Sequence, residues 1–339
     1  MNWQGKNSAE RMKGLLDPGN KNNWWKGLLK KTALVLLAIF IVLSLLPYLL
    51  PQVELGGDRY DLVYSNSNFS QVRNIDLHYR IWESGGADKG NILLVHGFGA
   101  STFSWRYTAP YLQERGYRVL AVDLPGFGLS ERVIGFDHSA DNRADLLWVL
   151  LDQLYPGEKW HLVGHSMGGA TVSSMALMET ERCISLTLAA GALAQFEPSL
   201  FSYFLKYPPA SRWIRVIAGR QMLNEERVEM LLISAYGREP EPAEIEGYYL
   251  PLTVENSDAV LADLIKSAPT PLLNRVSEIR APVLLIWGEN DTWVPLNQGI
   301  DLEKLIPGAT LVVLESEGHC PMETAPGLFN YYLQNFLEK

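Results

Sequence analysis

The residues whose types and spacing point most directly to chemistry are Ser166, Asp291 and His319. Ser166 stands in Gly164-His165-Ser166-Met167-Gly168, directly after the apolar run Trp160-His161-Leu162-Val163 and before a stretch rich in Ala, Met and Leu. A glycine two residues to either side of a serine at such a junction marks a sharp strand-to-helix turn, since a side chain at either flank would collide with the neighbouring strand and helix. The turn lifts the hydroxyl above the sheet edge and aims the first amides of the helix at any negative oxygen formed beside it. A hydroxyl is a weak nucleophile, so it needs a base, an acid to orient that base, and donors for the oxyanion. Gly-x-Ser-x-Gly is a short pattern that chance also supplies, and the other parts must be found elsewhere in the chain.

His319 alone among the six histidines lies in a loop straight after a late buried strand. His78 and His161 hold alternating strand positions, His138 begins a helix, and His96 ends an early strand. His165 is expected to turn its side chain away from Ser166. Asp291 follows a strand terminus, where catalytic groups gather in open α/β sheets. Asp123 is the rival acid, although its Asp-Leu-Pro-Gly-Phe-Gly-Leu-Ser context also suits a turn in which Asp caps its own backbone. For the oxyanion, Gly97 and Gly99 let the backbone pass close to a substrate, and the amides of Phe98 and Met167 are the expected donors. Cys183 and Cys320 form no metal-type cluster and read as small buried hydrophobes. Neither a metal nor an organic cofactor is expected.

The elements that must position these residues alternate in type. Residues Ile75, Leu77, Tyr79 and Ile81 alternate with Asp76, His78 and Arg80, predicting a hairpin strand with one polar face. Continuous apolar runs at 91–95, 117–122, 160–163, 184–190, 282–287 and 310–314 predict strands buried on both faces of a parallel sheet. Helices are predicted over 103–115, 140–154, 297–305 and 325–337. The alternation breaks between 195 and 276, where eight prolines separate helical patterns such as 225–235 and 258–266. That stretch reads as a helical cap inserted into a doubly wound, mostly parallel sheet formed by 70–194 and 277–339. Phe196, Phe201, Tyr203, Phe204, Tyr207, Trp213, Tyr236, Tyr248 and Tyr249 exceed what so small a cap needs for its own core, and either favour a lipid-like substrate or simply pack the cap onto the main domain.

The chain of 339 residues carries a net charge of −9, unevenly spread: residues 1–31 hold seven Lys/Arg against Glu10 and Asp17. For so acidic a body, nucleic acid is not the expected partner. Thr32 to Leu50 runs without a charge, long enough at ~1.5 Å per residue to cross a bilayer. No small-residue cleavage site follows, so the segment reads as an uncleaved transmembrane helix after a mobile tail of 1–31, with 51–69 as linker. Lysines crowd its N-terminal flank, which by the positive-inside rule places the N-terminus in the cytoplasm and the globular body on the other side.

His96-Gly97-Phe98-Gly99, Asp123 to Ser130, Gly164 to Gly169, Gly288 to Asp291 and Gly318-His319 together resemble the α/β-hydrolase fold superfamily, over about 70–338. The chain order Ser166, Asp291, His319 is the order that superfamily uses. The resemblance implies an esterase, lipase, carbon–carbon bond hydrolase, haloperoxidase-like enzyme or peptidase. It disfavours dehalogenases and epoxide hydrolases, which carry aspartate where Ser166 stands. The expected activity is cleavage of a small hydrophobic, lipid-like carboxylic ester through an acyl-enzyme on Ser166. A carbon–carbon or amide hydrolase with the same triad is the alternative, and a catalytically silent binding module the third.

Overall fold

The computed structural model describes residues 18–50, 56–86, 88–193, 204, 207–221, 223–267 and 270–339. The chain divides into two units, 1–51 and 52–339. The first contains helix α1, Pro18–Leu49, whose segment Trp25–Leu49 is long and apolar enough to cross a membrane. The helix thus takes in part of the tail expected over 1–31. Residues 18–31 are helical and continuous with the apolar stretch, because Pro18 suits the first turn and each further residue extends an existing helix at little cost. Residues 1–17 lie outside the described part.

The second unit is built on one eight-stranded sheet. In chain order it comprises β1 (Ser67–Val72), β2 (Ile75–Trp82), β3 (Asn91–Val95), α2 (Thr108–Glu114), β4 (Arg118–Val122), α3 (Ala140–Leu154), β5 (Trp160–His165), α4 (Met167–Met178) and β6 (Cys183–Ala189). Four helices follow: α5 (Pro208–Gln221), α6 (Glu225–Tyr236), α7 (Pro242–Leu252) and α8 (Ser257–Lys266). The chain then returns to the sheet with β7 (Val283–Gly288), α9 (Leu296–Leu305), β8 (Thr310–Leu314), α10 (Pro321–Thr324) and α11 (Pro326–Leu337). The strand order is β1-β2-β4-β3-β5-β6-β7-β8, and β2 alone runs against its neighbours.

Side-chain alternation along the central strands explains why they read as unbroken apolar runs. Leu93, Val95, Leu120, Val122, Leu162 and Leu285 pack with α3, α4 and α9 on one face. Ile92, Leu94, Val119, Ala121, Val163 and Ile286 pack with Trp105, Leu112, Phe329 and Leu333 on the other. Both faces are covered by helices, so no position needs a polar side chain.

Three further boundaries depart from the sequence reading. The sheet begins at Ser67, three residues inside the expected linker. The helix expected over 103–115 is a one-turn 3₁₀ helix at Thr102–Trp105 followed by the short α2, with the break at Arg106 and Tyr107. Strand β2 has no solvated polar face: Asp76 and His78 are both buried. Arg59, from a 3₁₀ turn ahead of β1, donates to Asp76 Oδ2 at 2.6 Å, and the Tyr60 hydroxyl donates to the same oxygen at 2.9 Å. His78 Nδ1 lies 2.7 Å from Asp123 Oδ2, and its Nε2 lies 2.7 Å from Ser67 Oγ. A buried polar face is tolerated because each group finds a partner.

The inserted helices carry strong local signals. Asn224 caps α6, accepting from the Arg227 amide at 2.9 Å, with Glu225 and Glu226 in the first turn; Gly237 ends it in the left-handed region. Pro242 opens α7 within a Glu241/Glu244 capping box.

Candidate active site

The sheet order reverses between β3 and β5, whose carboxyl ends lie side by side. A crevice at such a reversal is where open α/β sheets bind ligands. β5 delivers Ser166 to it and β3 delivers Gly97 and Phe98. Ser166 has φ 49° and ψ −118°, a conformation that side chains resist, and it immediately precedes the first turn of α4. Surrounding hydrogen bonds hold it there: its amide donates to the Ala189 carbonyl at 3.0 Å, and its carbonyl accepts from Gly169 and Ala192, each at 2.9 Å. The flanking glycines are required by space. A Cβ on Gly164 would stand 2.5 Å from the Gly168 carbonyl oxygen, and one on Gly168 2.5 Å from that of His96.

The loop after β3 passes against the serine, since a Cβ on Gly97 would meet the Ser166 Cβ at 3.0 Å. Gly99 holds φ +69° in open space, so its need for glycine is conformational. Met167 is the first residue of α4, and its amide is one of the four in a helix with no intrahelical acceptor.

Asp291 follows β7 and His319 follows β8, and the two loops are stitched together by Asn290 N–H donating to Glu317 O at 2.9 Å. His319 Nδ1 lies 2.8 Å from Asp291 Oδ2, with both side chains buried. Asp291 Oδ1 accepts from the amides of Trp293 and Val294 at 2.8 and 2.9 Å. With Nδ1–H pointed at the carboxylate, Nε2 keeps its lone pair, which is the tautomer a base needs. Ser166 and His319 line one cavity of about 190 Å³, together with Phe98, Trp293 and Cys320.

Asp123 takes a different place. It is fully buried, bonded to His78 and to the amides of Thr102 and Leu129 at 2.6 and 2.7 Å, and it does not line the cavity. Burial alone would raise its carboxyl, but the facing His78 and the Leu129 amide hold it below the usual range. Among the other histidines, burial lowers His96, and lowers His138 and His161 to about 4. Each is thus kept neutral inside.

His165 departs from expectation. Rather than turning away, it lines the cavity, its Nε2–H donates to the His319 carbonyl at 2.9 Å, and its ring lies 4.7 Å from that of His319. Burial, followed by the neighbouring His319, pushes its pKa well down, so it supports the His319 loop as a neutral donor. Cys183 and Cys320 are free and buried, as expected. Burial and then Glu323 push the Cys320 thiol far up, which leaves it a poor nucleophile.

Of the cap aromatics, Phe196, Phe201 and Tyr203 lie outside the described residues, and of the other six only Tyr248 lines the cavity. Tyr236 points its hydroxyl to Glu323, and Phe204 is exposed. The cap's share of the wall is mainly aliphatic, from Leu223, Val228, Leu231, Leu232, Leu252 and Val260, and the other aromatics that line it, Phe98, Phe127 and Trp293, come from outside the cap. No group of His, Cys, Asp and Glu suited to a metal occurs among the described residues.

This fold and crevice define a hydrolase of the α/β type, and the chain belongs to the alpha/beta hydrolase fold family, whose model matches residues 90–326. Among curated proteins it is 30% identical over 284 residues to a 2-hydroxy-6-oxononadienedioate/2-hydroxy-6-oxononatrienedioate hydrolase of Pseudomonas putida, covering 80% of this chain and 96% of that one. It is 29% identical over 286 residues to the uncharacterized hydrolase YugF of Bacillus subtilis, covering 79% and 96%. Among solved structures it is similar to a membrane phospholipase A described as a bacterial virulence factor, with TM-score 0.67 and 25% identity over 92% of this chain and 98% of that one.

Proposed function

We propose that this chain is a membrane-anchored serine hydrolase that cleaves carboxylic esters of hydrophobic, lipid-like acids. Ser166 Oγ attacks the ester carbonyl as His319 Nε2 takes its proton, Asp291 orients the imidazole, and the amides of Phe98 and Met167 receive the oxyanion. Collapse expels the alcohol, protonated by His319, and water then releases the acid from Ser166. The observation that carries the ester reading is the cavity wall, which is mainly apolar, aliphatic and aromatic, and has no lysine or arginine among the described residues. A dioate substrate, such as the P. putida relative's name specifies, brings two carboxylates that need cations or several donors once desolvated. Arg132, beside a separate void of about 10 Å³, already spends its N–H groups on the carbonyls of Gly128, Ser130 and Pro251 and on Ser257 Oγ.

The span Trp25–Leu49 and the similarity to a membrane phospholipase over 92% of this chain support the anchor. The lysine-rich flank supports a cytoplasmic N-terminus with the hydrolase unit on the opposite side. Carbon–carbon hydrolysis by the same triad is the second reading, favoured by the identity to the P. putida relative.

A fluorophosphonate should label the full-length protein at Ser166, and neutral medium-chain esters should be turned over far faster than a dienone dioate. Preference for the dioate would overturn the ester reading, and absence of label would overturn the nucleophile. Protease added to spheroplasts should digest the hydrolase unit, whereas protection of that unit would reverse the orientation.

A further inference from the structure

We infer that Trp293 and the last turn of α6 act as one device that places the His319 imidazole, so that filling the acyl cavity and aligning the base are coupled. The inference rests on the proposed Ser166 chemistry. The Trp293 indole lies nearly parallel to the His319 ring, with 5.5 Å between centroids and 21° between planes. Its Nε1–H donates to Ser234 Oγ on α6 at 3.0 Å. The next residue, Ala235, offers its carbonyl to the His319 amide at 2.7 Å. The one after that, Tyr236, donates its hydroxyl to Glu323 Oε2 at 2.8 Å, four residues beyond the histidine. Three consecutive residues of the cap thus grip the segment that carries the base.

Helix termini explain the arrangement. The last carbonyls of a helix have no intrahelical donor, and here the His319 amide supplies one to Ala235. The approach is close: a Cβ on Gly318 would stand 2.5 Å from that same Ala235 oxygen. Residues of this same helix, Val228, Leu231, Leu232 and Ala235, line the cavity. A shift of α6 caused by an unfilled cavity moves Ser234 Oγ and the Ala235 carbonyl together, and reaches the imidazole through both the indole and the main chain. Misplacing a catalytic group by ~1 Å can cost about a hundredfold in rate. Trp293 is therefore a positioning residue whose partner is the base. Were it only cavity wall, its loss would weaken binding and leave turnover alone.

The test uses full-length wild type, Trp293→Leu, Trp293→Phe, Ser234→Ala and the Trp293→Phe/Ser234→Ala double variant, assayed on acetyl and medium-chain p-nitrophenyl esters. Labelling rates are measured in parallel with ethyl and octyl fluorophosphonates, in which Ser166 Oγ bonds phosphorus, fluoride leaves and the hydroxyl proton passes to His319. Trp293→Leu should lower kcat on the medium-chain ester about 30-fold with KM within about twofold. Trp293→Phe, which keeps a stacked ring but loses the N–H, and Ser234→Ala should each cost about threefold. The double variant should cost no more than either single change, because both remove the same bond. All losses should shrink on the acetyl ester, which leaves the cavity unfilled. A raised KM at unchanged kcat in Trp293→Leu, or additive effects in the double variant, would overturn the coupling. If Trp293→Leu fails to fold, the Phe and Ala variants decide alone. Wild type unlabelled at Ser166 would sink the proposed function itself, whereas labelled wild type with variants reacting at the same rate would sink the coupling only.

Discussion

Two His–Asp pairs in this molecule have a serine in their neighbourhood, His78–Asp123 with Ser67 and His319–Asp291 with Ser166, and their surroundings differ. Ser67, His78 and Asp123 are linked by distances of 2.7 and 2.7 Å. Yet Ser67 lies in an edge strand and already accepts from the Tyr64 amide at 2.9 Å. No helix starts there, and none of the three residues lines the 190 Å³ cavity. Ser166 instead combines a strained φ, the N-terminus of α4 and an apolar cavity that also holds His319. The three side chains do not by themselves make a catalytic site. What distinguishes the second set is an apolar cavity lined by both Ser166 and His319 and a helix that starts at the serine, while the first set ties β1, β2 and the loops after β3 and β4 together.

The sharpest way to break this contrast is to remove each serine in turn. Ser166→Ala should lower kcat by about 10³ to 10⁶ on a medium-chain ester and abolish fluorophosphonate labelling, whereas Ser67→Ala should keep activity within about twofold. Loss of label in the latter would make Ser67 a nucleophile and end the distinction. The two acids should then separate by readout. Asp291→Asn should cost about 10⁴ in kcat through the wrong imidazole tautomer, with a modest change in melting temperature. Asp123→Asn breaks a buried pair and should cost about 3–5 kcal/mol of stability, read by chemical denaturation. A larger melting shift in Asp291→Asn than in Asp123→Asn would reverse the assignment of roles.

Acid should act on the molecule through different groups. His138 and His161 titrate near 4 in the folded state because burial disfavours the imidazolium. Their neutral forms give full stability above the unfolded histidine value of about 6.5, and that stability drains as pH falls from there toward 4. Asp123 is depressed, so its contribution persists until pH drops below the unfolded value of about 3.9 and is lost only beneath it. Denaturation at pH 7 and 4.5 should therefore differ by about 2 kcal/mol less in His161→Gln than in wild type. An unchanged difference would show that His161 is not held neutral. The smallest effect is expected from Ser67→Ala on stability, about 1 kcal/mol for one lost hydrogen bond.

Local signals made much of this legible. Gly164 and Gly168 announce the turn at Ser166 because their need for glycine comes from the tight crossing of a strand end and a helix start, a feature of adjacent residues. The buried strands were readable because a parallel sheet covered on both faces demands unbroken apolar runs. The helical pattern over 225–235 marked α6, and the uncharged stretch from Thr32 marked the long apolar helix. Asp291 and His319 were visible as polar residues placed just after such runs, where a strand end opens to the crevice.

Other features depended on which distant segments meet. The alternation in β2 reads as a half-solvated strand, but Arg59, Tyr60, Ser67 and Asp123 arrive from elsewhere to bury its polar side. His165 gave no sign that its ring would pack on His319, 154 positions away. The aromatics of the cap suggested that they line the cavity, while of those described only Tyr248 does, and the cap contributes mostly leucines and valines on faces that only helix packing could select. The sequence determined the elements and the sharp turn at Ser166, because those follow from sterics and periodicity between near neighbours. The pairing of Trp293 with Ser234, and the cavity that Ser166 and His319 share while Ser67, His78 and Asp123 stand apart from it, were decided by tertiary structure, because they depend on packing and enclosure contributed by segments far apart in the chain.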